Sequence, residues 1–281
     1  MLRVAVPNKG SLSEPAAEML REAGYRQRRD GRELVLADPD NGVEFFFLRP
    51  RDIATYVGTG TLELGITGRD LLLDGDSQAT EVLRLGFGDS TFRYAAVPGT
   101  ADAIDDFAGK RIATSYGGLV RTDLEARGIE AEVIHLDGAV ETAVRLGVAD
   151  IIADVVSTGT TLRQAGLEIV GEPILHSEAV LVGRNGTGED PRVEQLTRRL
   201  TGVIIARQYV MIDYGCRVET LEAACAITPG IESPTVSPLH DKDWVAVRAM
   251  VEQQRTNQVM DELWHLGARG ILVTDILACR L

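Results

Sequence analysis

The stretch Ala149-Asp-Ile-Ile-Ala-Asp-Val-Val-Ser-Thr-Gly-Thr-Thr-Leu162 runs from an apolar segment, through an acidic residue, into a loop of hydroxyl side chains around one glycine. Gly159 lets the backbone approach a ligand closely, and the loop ends where a helix would begin. Hydroxyl and amide donors beside the positive end of a helix suit a phosphate group. The hydroxyl residues are Ser157, Thr158, Thr160 and Thr161. The stretch therefore predicts a strand–loop–helix unit of an α/β protein that binds a phosphorylated sugar.

Two carboxylates flank this loop. Asp154 directly precedes it and could accept hydrogen bonds from ribose hydroxyls, each worth roughly 1.5 to 3 kcal/mol. Glu141 lies on the predicted helix before the strand, and its end of that helix comes near the same sheet edge. The plainer interpretation is a Ser/Thr-rich helix cap with Glu141 as a solvated helix residue. Asp150, one strand period away, is expected to play no direct part.

Strand-like and helix-like patterns alternate from Leu2 to Val182, as in an α/β protein. Polar and basic residues recur where predicted strands end, which is where α/β sheets bind ligands. They are Lys9, Gly10, Arg49, Gly68, Arg69, Asp70 and Tyr116. The basic side chains could reach a phosphate, and Asp70 could cap a helix or accept from an adenine amine or a ribose. Tyr116 could stack on a purine or be partial core.

The chain changes character after a turn-rich break at 185–191 and a helical pattern from Val193 to about Arg207. The remaining patterns follow the order strand, helix, strand, strand, helix, strand, which is that of a ferredoxin-like fold. They are Tyr209–Tyr214, Val218–Ala226, Thr235–Pro238, Val245–Val251, Asn257–Leu266 and Ile271–Ile276. Without further information, such a module could serve in packing or oligomerisation.

Composition excludes several classes of function. A net charge of −13 argues against nucleic acid or an anionic membrane as the main partner, so anionic ligands would need local basic groups and Mg²⁺. No signal peptide or apolar run of about 20 residues is present, which predicts a cytoplasmic protein. The 3 cysteines and 4 histidines lack metal-ligand spacing, and no metal ligand is assigned among the protein side chains.

Common nucleotide and hydrolase motifs are missing as well. There is no Gly-x-x-x-x-Gly-Lys-Ser/Thr loop, and Gly58-Thr-Gly60 lacks the third glycine of a dinucleotide fingerprint. No Gly-x-Ser-x-Gly elbow or His-Glu-x-x-His pair occurs. Any bound ATP is therefore expected to act as a nucleophile and not as a phosphoryl donor.

Ten positions around the opening stretch carry a family resemblance. Their order and spacing resemble the signature of the ATP phosphoribosyltransferases; they are Glu141, Gly147, Ala149, Ile152, Asp154, Val155, Thr158, Gly159, Thr161 and Leu162. Other segments are similar to that family too: Val4-Ala-Val-Pro-Asn-Lys-Gly-Ser-Leu12, Val43-Glu-Phe-Phe-Phe-Leu-Arg-Pro50, Leu64-Gly-Ile-Thr-Gly-Arg-Asp70, Arg111-Ile-Ala-Thr-Ser-Tyr116 and Ile227-Thr-Pro-Gly230. The chain continues well past Gly183, so the long form, with a C-terminal regulatory domain, is the better match.

The resemblance implies an α/β fold with a two-lobed, periplasmic-binding-protein-like (type II) catalytic core and a ferredoxin-like (ACT-like) regulatory domain. The expected borders are 1–90 with 183–208 for the first lobe, 91–182 for the second and 209–281 for the regulatory domain. The implied reaction transfers a 5-phosphoribosyl group from phosphoribosyl pyrophosphate to N1 of ATP, as the first step of histidine biosynthesis. Mg²⁺ is the implied cofactor, histidine the feedback inhibitor, AMP a further ligand, and a dimer or hexamer the assembly.

The resemblance also assigns residues of this chain to catalysis and to each ligand. Lys9, Arg49 and Asp154 are the expected catalytic residues. Phosphoribosyl pyrophosphate is assigned Glu141, Asp154, Ser157, Thr158, Gly159, Thr160 and Thr161; ATP is assigned Lys9, Gly10, Arg49, Gly68, Asp70 and Tyr116. Histidine is assigned Asp213, Tyr214, Ser233 and Thr235. Many relatives have a polar residue directly after the Asp-Tyr pair, where this chain has Gly215.

Two alternatives remain open from the sequence. The first is a non-catalytic protein that senses a sugar phosphate or an amino acid on the same two-lobed scaffold. The second is a phosphoribosyltransferase of the more common type, whose paired acids directly precede a Thr-Gly-x-Thr loop. Here Val155 and Val156 follow the single Asp154, which favours the histidine-pathway family.

Overall fold

The computed structural model describes residues 1–28, 32–156 and 159–280 of the 281-residue chain. Among these residues, no helix combines the length and the apolar character needed to cross a membrane. The chain divides into two compact units, Met1–Arg21 with Tyr25–Gln195 and Glu22–Gly24 with Leu196–Leu281. The first unit contains two sheets and the second contains one.

The first sheet is built mainly from the start of the chain. Its elements are β1 (Leu2–Pro7), α1 (Ser13–Glu22), β2 (Val35–Asp38), β3 (Val43–Leu48), α2 (Pro50–Gly58), β4 (Leu64–Gly68), α3 (Arg69–Asp74) and β5 (Thr80–Arg84). β1 pairs in parallel with β3 and β4, and β4 is buried along its whole length. Helices cover both faces of such strands, which explains why β1 is apolar at every position except Arg3. The carboxyl ends of β1 and β4 therefore lie at one sheet edge.

The second sheet follows. Its elements are β6 (Ser90–Ala96), β7 (Arg111–Thr114), α4 (Gly117–Arg127), β8 (Glu132–His135), α5 (Glu141–Arg145), β9 (Ile151–Val156), α6 (Thr160–Gln164) and β10 (Glu168–Ser177). The strand order is β10-β6-β9-β7-β8. One face packs on α4 around Phe92 and Tyr94, and the other packs on α5 and α6 around Ile152 and Val156. Because successive residues of a strand alternate between faces, Asp154 lies on the α5 and α6 face.

The chain then returns to the first sheet. Strand β11 (Ala179–Gly183) lies between β4 and β5, is antiparallel to both and is fully buried. Two crossings between the sheets give the two-lobed, periplasmic-binding-protein-like core that was expected. The predicted end of the second lobe at residue 182 is wrong, since 179–183 belongs to the first sheet. A buried run such as Ala-Val-Leu-Val-Gly suits the centre of either sheet, so its sequence does not choose between them.

Strand β5 was not predicted from the sequence. It forms the edge of the first sheet, and its residues are mostly exposed. Edge strands carry charged residues, so they lack the apolar alternation by which strands are recognised. The second sheet nevertheless begins at Ser90, next to the predicted border at residue 91.

The C-terminal unit confirms the ferredoxin-like order. Its elements are the C-terminal part of α7 (Pro191–Gln208), β12 (Tyr209–Arg217), α8 (Leu221–Ile227), β13 (Thr235–Pro238), β14 (Trp244–Glu252), α9 (Thr256–Leu266) and β15 (Arg269–Asp275). The sheet order is β13-β14-β12-β15, with each neighbouring pair antiparallel. The compact unit begins at Leu196, earlier than the predicted border at 209, because the end of α7 groups with this sheet.

Candidate active site

Two cavities of the first unit hold predicted site residues, and the larger of these two lies where β1 and β4 end. It has a volume of about 260 Å³ and takes its walls from both lobes. The lining residues include five of the six predicted ATP contacts, namely Lys9, Gly10, Gly68, Asp70 and Tyr116, together with Val155 and Ser177. Arg49, the sixth, is exposed and directly precedes the lining residue Pro50. The structure therefore brings most of the predicted ATP contacts together at one cavity.

Asp70 is buried and held in one orientation. Its Oδ1 accepts a hydrogen bond from the Ser177 hydroxyl at 2.8 Å, and its backbone N–H donates to the same hydroxyl at 3.0 Å. A side chain at Gly68 would overlap the Asp70 carboxylate, so glycine is required there. Asp70 is thus fixed by a side chain from the end of β10, a contact that the sequence did not reveal.

Tyr116, from the second lobe, lines the same cavity and directly precedes α4. Its ring centroid lies 5.1 Å from that of Phe92 and 4.9 Å from the Arg51 guanidinium carbon. Burial raises the pKa of the Tyr116 phenol, and the Asp70 carboxylate raises it further through its charge and a hydrogen bond. The phenol is therefore a neutral donor at physiological pH, and its ring is part of the wall.

A second cavity, of about 180 Å³, lies at the end of β9. Its walls bring together four of the predicted phosphoribosyl pyrophosphate residues, Glu141, Asp154, Gly159 and Thr161. Thr160 is exposed and its hydroxyl accepts a hydrogen bond from Arg163 Nη2 at 3.3 Å. Ser157 and Thr158 lie outside the described residues. Gly159 has φ +69°, which supports the predicted need for glycine where the loop meets α6.

The surroundings of the Asp154 carboxylate disfavour its ionised form. Burial raises its pKa, the Val155 N–H opposes that change by donating to Oδ1 at 2.8 Å, and the negative charges of Glu141 and Asp70 raise the pKa further. An acid placed in this way is a candidate for function, because the fold itself gains little from its charge. Asp150 differs, since Arg111 donates to it at 2.9 Å and lowers its pKa.

Arg93 is a basic residue that the sequence reasoning missed. It pairs directly opposite Asp154 across β6 and β9 and therefore lies on the same face as the second cavity. Its Nε donates to the Thr91 hydroxyl at 2.9 Å, which in turn donates to the Val156 carbonyl at 3.2 Å. Within the described residues it forms no ion pair. Strand alternation along β6 would have placed it, had the pairing of β6 with β9 been known.

Arg69 does not play the predicted phosphate-binding role. Its Nε and Nη2 donate to the two carboxylate oxygens of Glu81 at 2.9 and 3.0 Å, and Nη2 also donates to Glu178 at 3.1 Å. Only 14% of its side chain is exposed. The glutamates belong to β5 and to the residue before β11, so Arg69 ties together strands of the first sheet. Without knowledge of these ion pairs, the sequence could not exclude that Arg69 is exposed and binds a phosphate.

We expect Arg69→Met to lower the free energy of unfolding by about 3 kcal/mol, because it leaves two partly buried carboxylates without their arginine partner. ATP affinity should be unchanged. Arg84→Met is the matched control, because Arg84 approaches the same glutamates at 3.4 and 3.9 Å but is 74% exposed. Its loss should cost less than about 1 kcal/mol. Urea unfolding and ATP titration measure both effects; reduced ATP affinity with unchanged stability would restore the phosphate-binding role.

The same ion pair makes stability depend on pH. Hydrogen bonding by Arg69 lowers the pKa of Glu81 below its ordinary value. A lowered folded-state pKa gives stabilisation that is present above the ordinary pKa and lost as pH falls through the lowered one. Wild type should therefore lose this stabilisation as pH falls below 4.5, the ordinary pKa of this carboxyl group. Arg69→Met lacks the ion pair and should not show this loss.

The residues predicted to bind histidine lie in the C-terminal unit, and they do not all face one surface. The Tyr214 side chain is 3% exposed and its hydroxyl bonds to Thr228 Oγ1 at 2.7 Å within the core. Asp213 points to the opposite face and accepts from Arg248 Nε at 2.7 Å. The Tyr214 side chain therefore lies in the core, on the opposite side of the strand from Asp213. Ser233 and Thr235 are exposed, and Thr235 pairs with Arg248 in β14.

An open, largely apolar cavity lies over Gly215. Its volume is about 550 Å³, and its lining consists of Asp213, Tyr214, Gly215, Leu239, Trp244, Ala246, Arg269 and Gly270. A Cβ atom at Gly215 would meet the Trp244 ring at 3.7 Å and Leu239 at 3.9 Å, which are ordinary contacts. A larger side chain at this position would therefore fit and would project into the cavity.

Known proteins match both units. The family model "HisG: ATP phosphoribosyltransferase" matches residues 49–202, and "HisG, C-terminal domain" matches residues 206–278. The chain is 64% identical to the ATP phosphoribosyltransferase of Arthrobacter sp. (strain FB24) and 62% identical to that of Streptomyces coelicolor (strain ATCC BAA-471 / A3(2) / M145), each over 100% of both chains. Its fold is similar to a solved "ATP phosphoribosyl transferase (HisG:HisZ) complex from Thermotoga maritima", with TM-score 0.64, 28% identity, and coverage of 73% of this chain and 98% of that one.

Proposed function

The chain belongs to the ATP phosphoribosyltransferase family in its long form, and from this membership we propose how its two cavities share the substrates. The family catalyses the first step of histidine biosynthesis, so this chain is a pentosyltransferase. Full-length identity with such enzymes sets aside the alternative of a non-catalytic binding protein. The observation that carries the proposal is Val155, which lines both cavities.

In the proposed reaction, N1 of the ATP adenine bonds to C1 of the ribose. The bond from C1 to the pyrophosphate oxygen breaks, and pyrophosphate leaves with the electron pair. Positive charge develops on the ribose ring, so the protein must anchor the 5′-phosphate, hold the ribose hydroxyls and place the purine opposite the leaving group. Two adjoining cavities suit that geometry. No residue is assigned as a general base.

The smaller cavity is the proposed phosphoribosyl pyrophosphate site. Gly159 and Thr161 lie beside the carboxylates of Asp154 and Glu141, so one wall can donate to a phosphate while the other accepts from ribose hydroxyls. Ser157, Thr158 and Thr160 of the same loop keep their proposed role. Arg93, on the same face of the sheet, adds positive charge near this acidic cavity.

The larger cavity is the proposed ATP site. Tyr116 and Asp70 would contact the adenosine, with Gly10 and Gly68 allowing close approach of the backbone. Lys9 and Arg49 are exposed cations at the same sheet edge, and among the described residues neither has an ion-pair partner. They are therefore available to neutralise polyphosphate during the reaction, and together with Asp154 they form the proposed catalytic set.

The protein groups fit Mg²⁺ only as an ion shared with substrate. Among the described residues, no cluster of three or more His, Cys, Asp or Glu side chains could hold a metal. Asp154 and Glu141 line one cavity, and one or two carboxylates plus substrate phosphates are the usual ligands of Mg²⁺. When bound, the ion would neutralise charge on the departing pyrophosphate. A cation there would also relieve the repulsion that raises the Asp154 pKa.

Regulation and assembly are further parts of the proposal. Histidine would act on the C-terminal domain as feedback inhibitor, with Asp213, Ser233 and Thr235 as candidate contacts, and AMP would compete for the ATP site. Strands β13 and β15 are the open edges of the C-terminal sheet, which suits a homo-oligomer, from dimer to hexamer.

The direct test is ultraviolet absorbance of purified protein with ATP, phosphoribosyl pyrophosphate, Mg²⁺ and pyrophosphatase. A new N1-substituted adenine chromophore that requires both substrates is the expected result. A folded protein that yields no chromophore with both substrates present would contradict the proposal.

We expect Thr161→Val to raise the KM for phosphoribosyl pyrophosphate by about tenfold, since it removes a hydroxyl from the phosphate cavity. The KM for ATP should change by less than about twofold. Thr160→Val is the comparison: its hydroxyl belongs to the same loop but is exposed and does not line the cavity, so its loss should raise the KM for phosphoribosyl pyrophosphate by less. Initial-rate kinetics with each substrate varied would check this, and equal weakening of both substrates would argue against a phosphate anchor.

A further inference from the structure

The two lobes are joined by a carboxylate as well as by the crossing chains. Asp74, the last residue of α3 in the first lobe, accepts from the backbone N–H groups of Gly118 at 2.8 Å and Leu119 at 3.2 Å. These groups belong to the first turn of α4 in the second lobe. The other oxygen of Asp74 accepts from Arg51 Nη1 at 2.7 Å, and its side chain is only 9% exposed. Asp74 thus caps a helix of the opposite lobe.

The same cluster fixes the aromatic ring at the wall of the larger cavity. Arg51 bonds to Asp74, and its guanidinium also lies over the Tyr116 ring, 4.9 Å from the centroid. Phe92 contacts the same ring. Gly118 allows the close approach, because a Cβ atom there would overlap the Asp74 carbonyl. Besides the hydrogen bond with Asp70, Arg51 and Asp74 of the first lobe therefore help to set the position of Tyr116 in the second.

We propose that Arg51 and Asp74 are positioning residues for ATP, acting through Tyr116. The inference rests on the proposed function, since it takes Tyr116 to contact the adenosine. A carboxylate at a helix N-terminus and a cation over an aromatic ring are both favourable. Together they order the ring before the nucleotide arrives, and preorganised groups lose less freedom on binding. Neither residue lines the phosphoribosyl pyrophosphate cavity, so replacing them should not change the KM for that substrate.

The test measures KM for each substrate in two variants. Asp74→Ala removes the cap and the ion pair, whereas Asp74→Asn keeps an acceptor for the amides but loses the charge. We expect the KM for ATP to rise about tenfold in Asp74→Ala and less in Asp74→Asn, with the KM for phosphoribosyl pyrophosphate within about twofold of wild type. Thermal melting establishes that each variant is folded, and the milder Asn variant keeps the test valid if the Ala variant unfolds.

Asp123 provides a matched control on the same helix. It accepts from the Tyr94 hydroxyl at 3.0 Å and from Arg127 Nε at 2.9 Å, and its side chain is 14% exposed. All three residues lie within the second lobe. Asp123→Ala should lower the melting temperature and leave the KM for ATP unchanged. If Asp74→Ala acted only by damaging the packing, it would change the KM for ATP no more than Asp123→Ala does.

A double-mutant cycle tests whether Asp74 acts through Tyr116. If it does, adding Asp74→Ala to Tyr116→Ala should leave the KM for ATP unchanged, because the ring to be positioned is already absent. Additive effects, equal changes for both substrates, or the same ATP defect in Asp123→Ala would each overturn the inference. A wild-type protein that forms no product overturns the proposed function and this inference with it, whereas an active wild type with unaffected Asp74 variants overturns the inference alone.

Discussion

Asp154→Asn is expected to lower kcat about a hundredfold or more, which corresponds to about 2.7 kcal/mol of transition-state stabilisation. The carboxylate lines the cavity with Glu141, Gly159 and Thr161, where the ribose would carry its developing charge. An amide keeps the size of the side chain and removes the negative charge. The loss should therefore appear in turnover with both substrates saturating.

The same substitution should leave thermal stability unchanged or increase it. Burial and the charges of Glu141 and Asp70 raise the pKa of Asp154, so the folded protein disfavours its ionised form. For a carboxyl group with a raised folded-state pKa, this penalty appears as pH rises above the unfolded-state pKa and is complete above the folded-state value. Asparagine carries no such penalty at neutral pH. In wild type, kcat/KM should fall as pH decreases through the raised pKa, and the variant should lack this limb.

Asp150→Asn is the matched control for Asp154→Asn. Arg111 lowers the pKa of Asp150 by hydrogen bonding, so its charge stabilises the fold above its ordinary pKa. Its neutralisation should cost stability at neutral pH and leave turnover near wild type. Unchanged kinetics in Asp154→Asn, or equal kinetic losses in both variants, would remove Asp154 from the catalytic set.

Gly215→Asp is expected to tighten histidine binding by about tenfold to a hundredfold. The cavity over Gly215 is mainly apolar, and its one acidic side chain, Asp213, is already engaged by Arg248. A bound amino acid therefore lacks a free anion for its ammonium group, and a charge-assisted hydrogen bond contributes about 1.5 to 3 kcal/mol. The contacts of a Cβ atom at Gly215 are ordinary, so the new side chain can be accommodated.

Isothermal titration with histidine and inhibition of product formation would measure this effect. Gly215→Ala is the control, because it occupies the same space without a charge and should bind histidine as wild type does. If the aspartate variant gains nothing over the alanine variant, the cavity is not where the ammonium group binds. If wild type already binds histidine tightly, Gly215 is no defect and the contacts lie elsewhere.

Most residues that line the two cavities could be predicted from the sequence because α/β sheets place their ligand-binding residues at strand ends. Lys9, Asp70 and Tyr116 follow three different strands, and the fold brings them to one cavity. Asp154 and Thr161 are close in the chain, so their meeting needed no long-range information. Their positions could therefore be predicted from local pattern and from the resemblance to the family.

What escaped prediction depends on pairings between distant segments. Arg69 could not be recognised as a structural residue until β5 and Glu178 were placed beside it. Arg93 became visible through its register with Asp154, and Asp74 through its contact with an α4 that begins more than 40 residues later. The burial of the Tyr214 side chain likewise follows from its place in β12, where neighbouring side chains point to opposite faces of the sheet.

The place of β11 has a consequence for biosynthesis. This strand lies between β4 and β5, yet the ribosome makes it only after the whole second sheet. A nascent chain that has reached residue 100 carries an apolar β4 with one unpaired edge and a β5 with no neighbour in its sheet. Synthesis proceeds at about 5 to 20 residues per second, so that edge stays open for several seconds. During this interval the open edge of β4 can template wrong strand pairing.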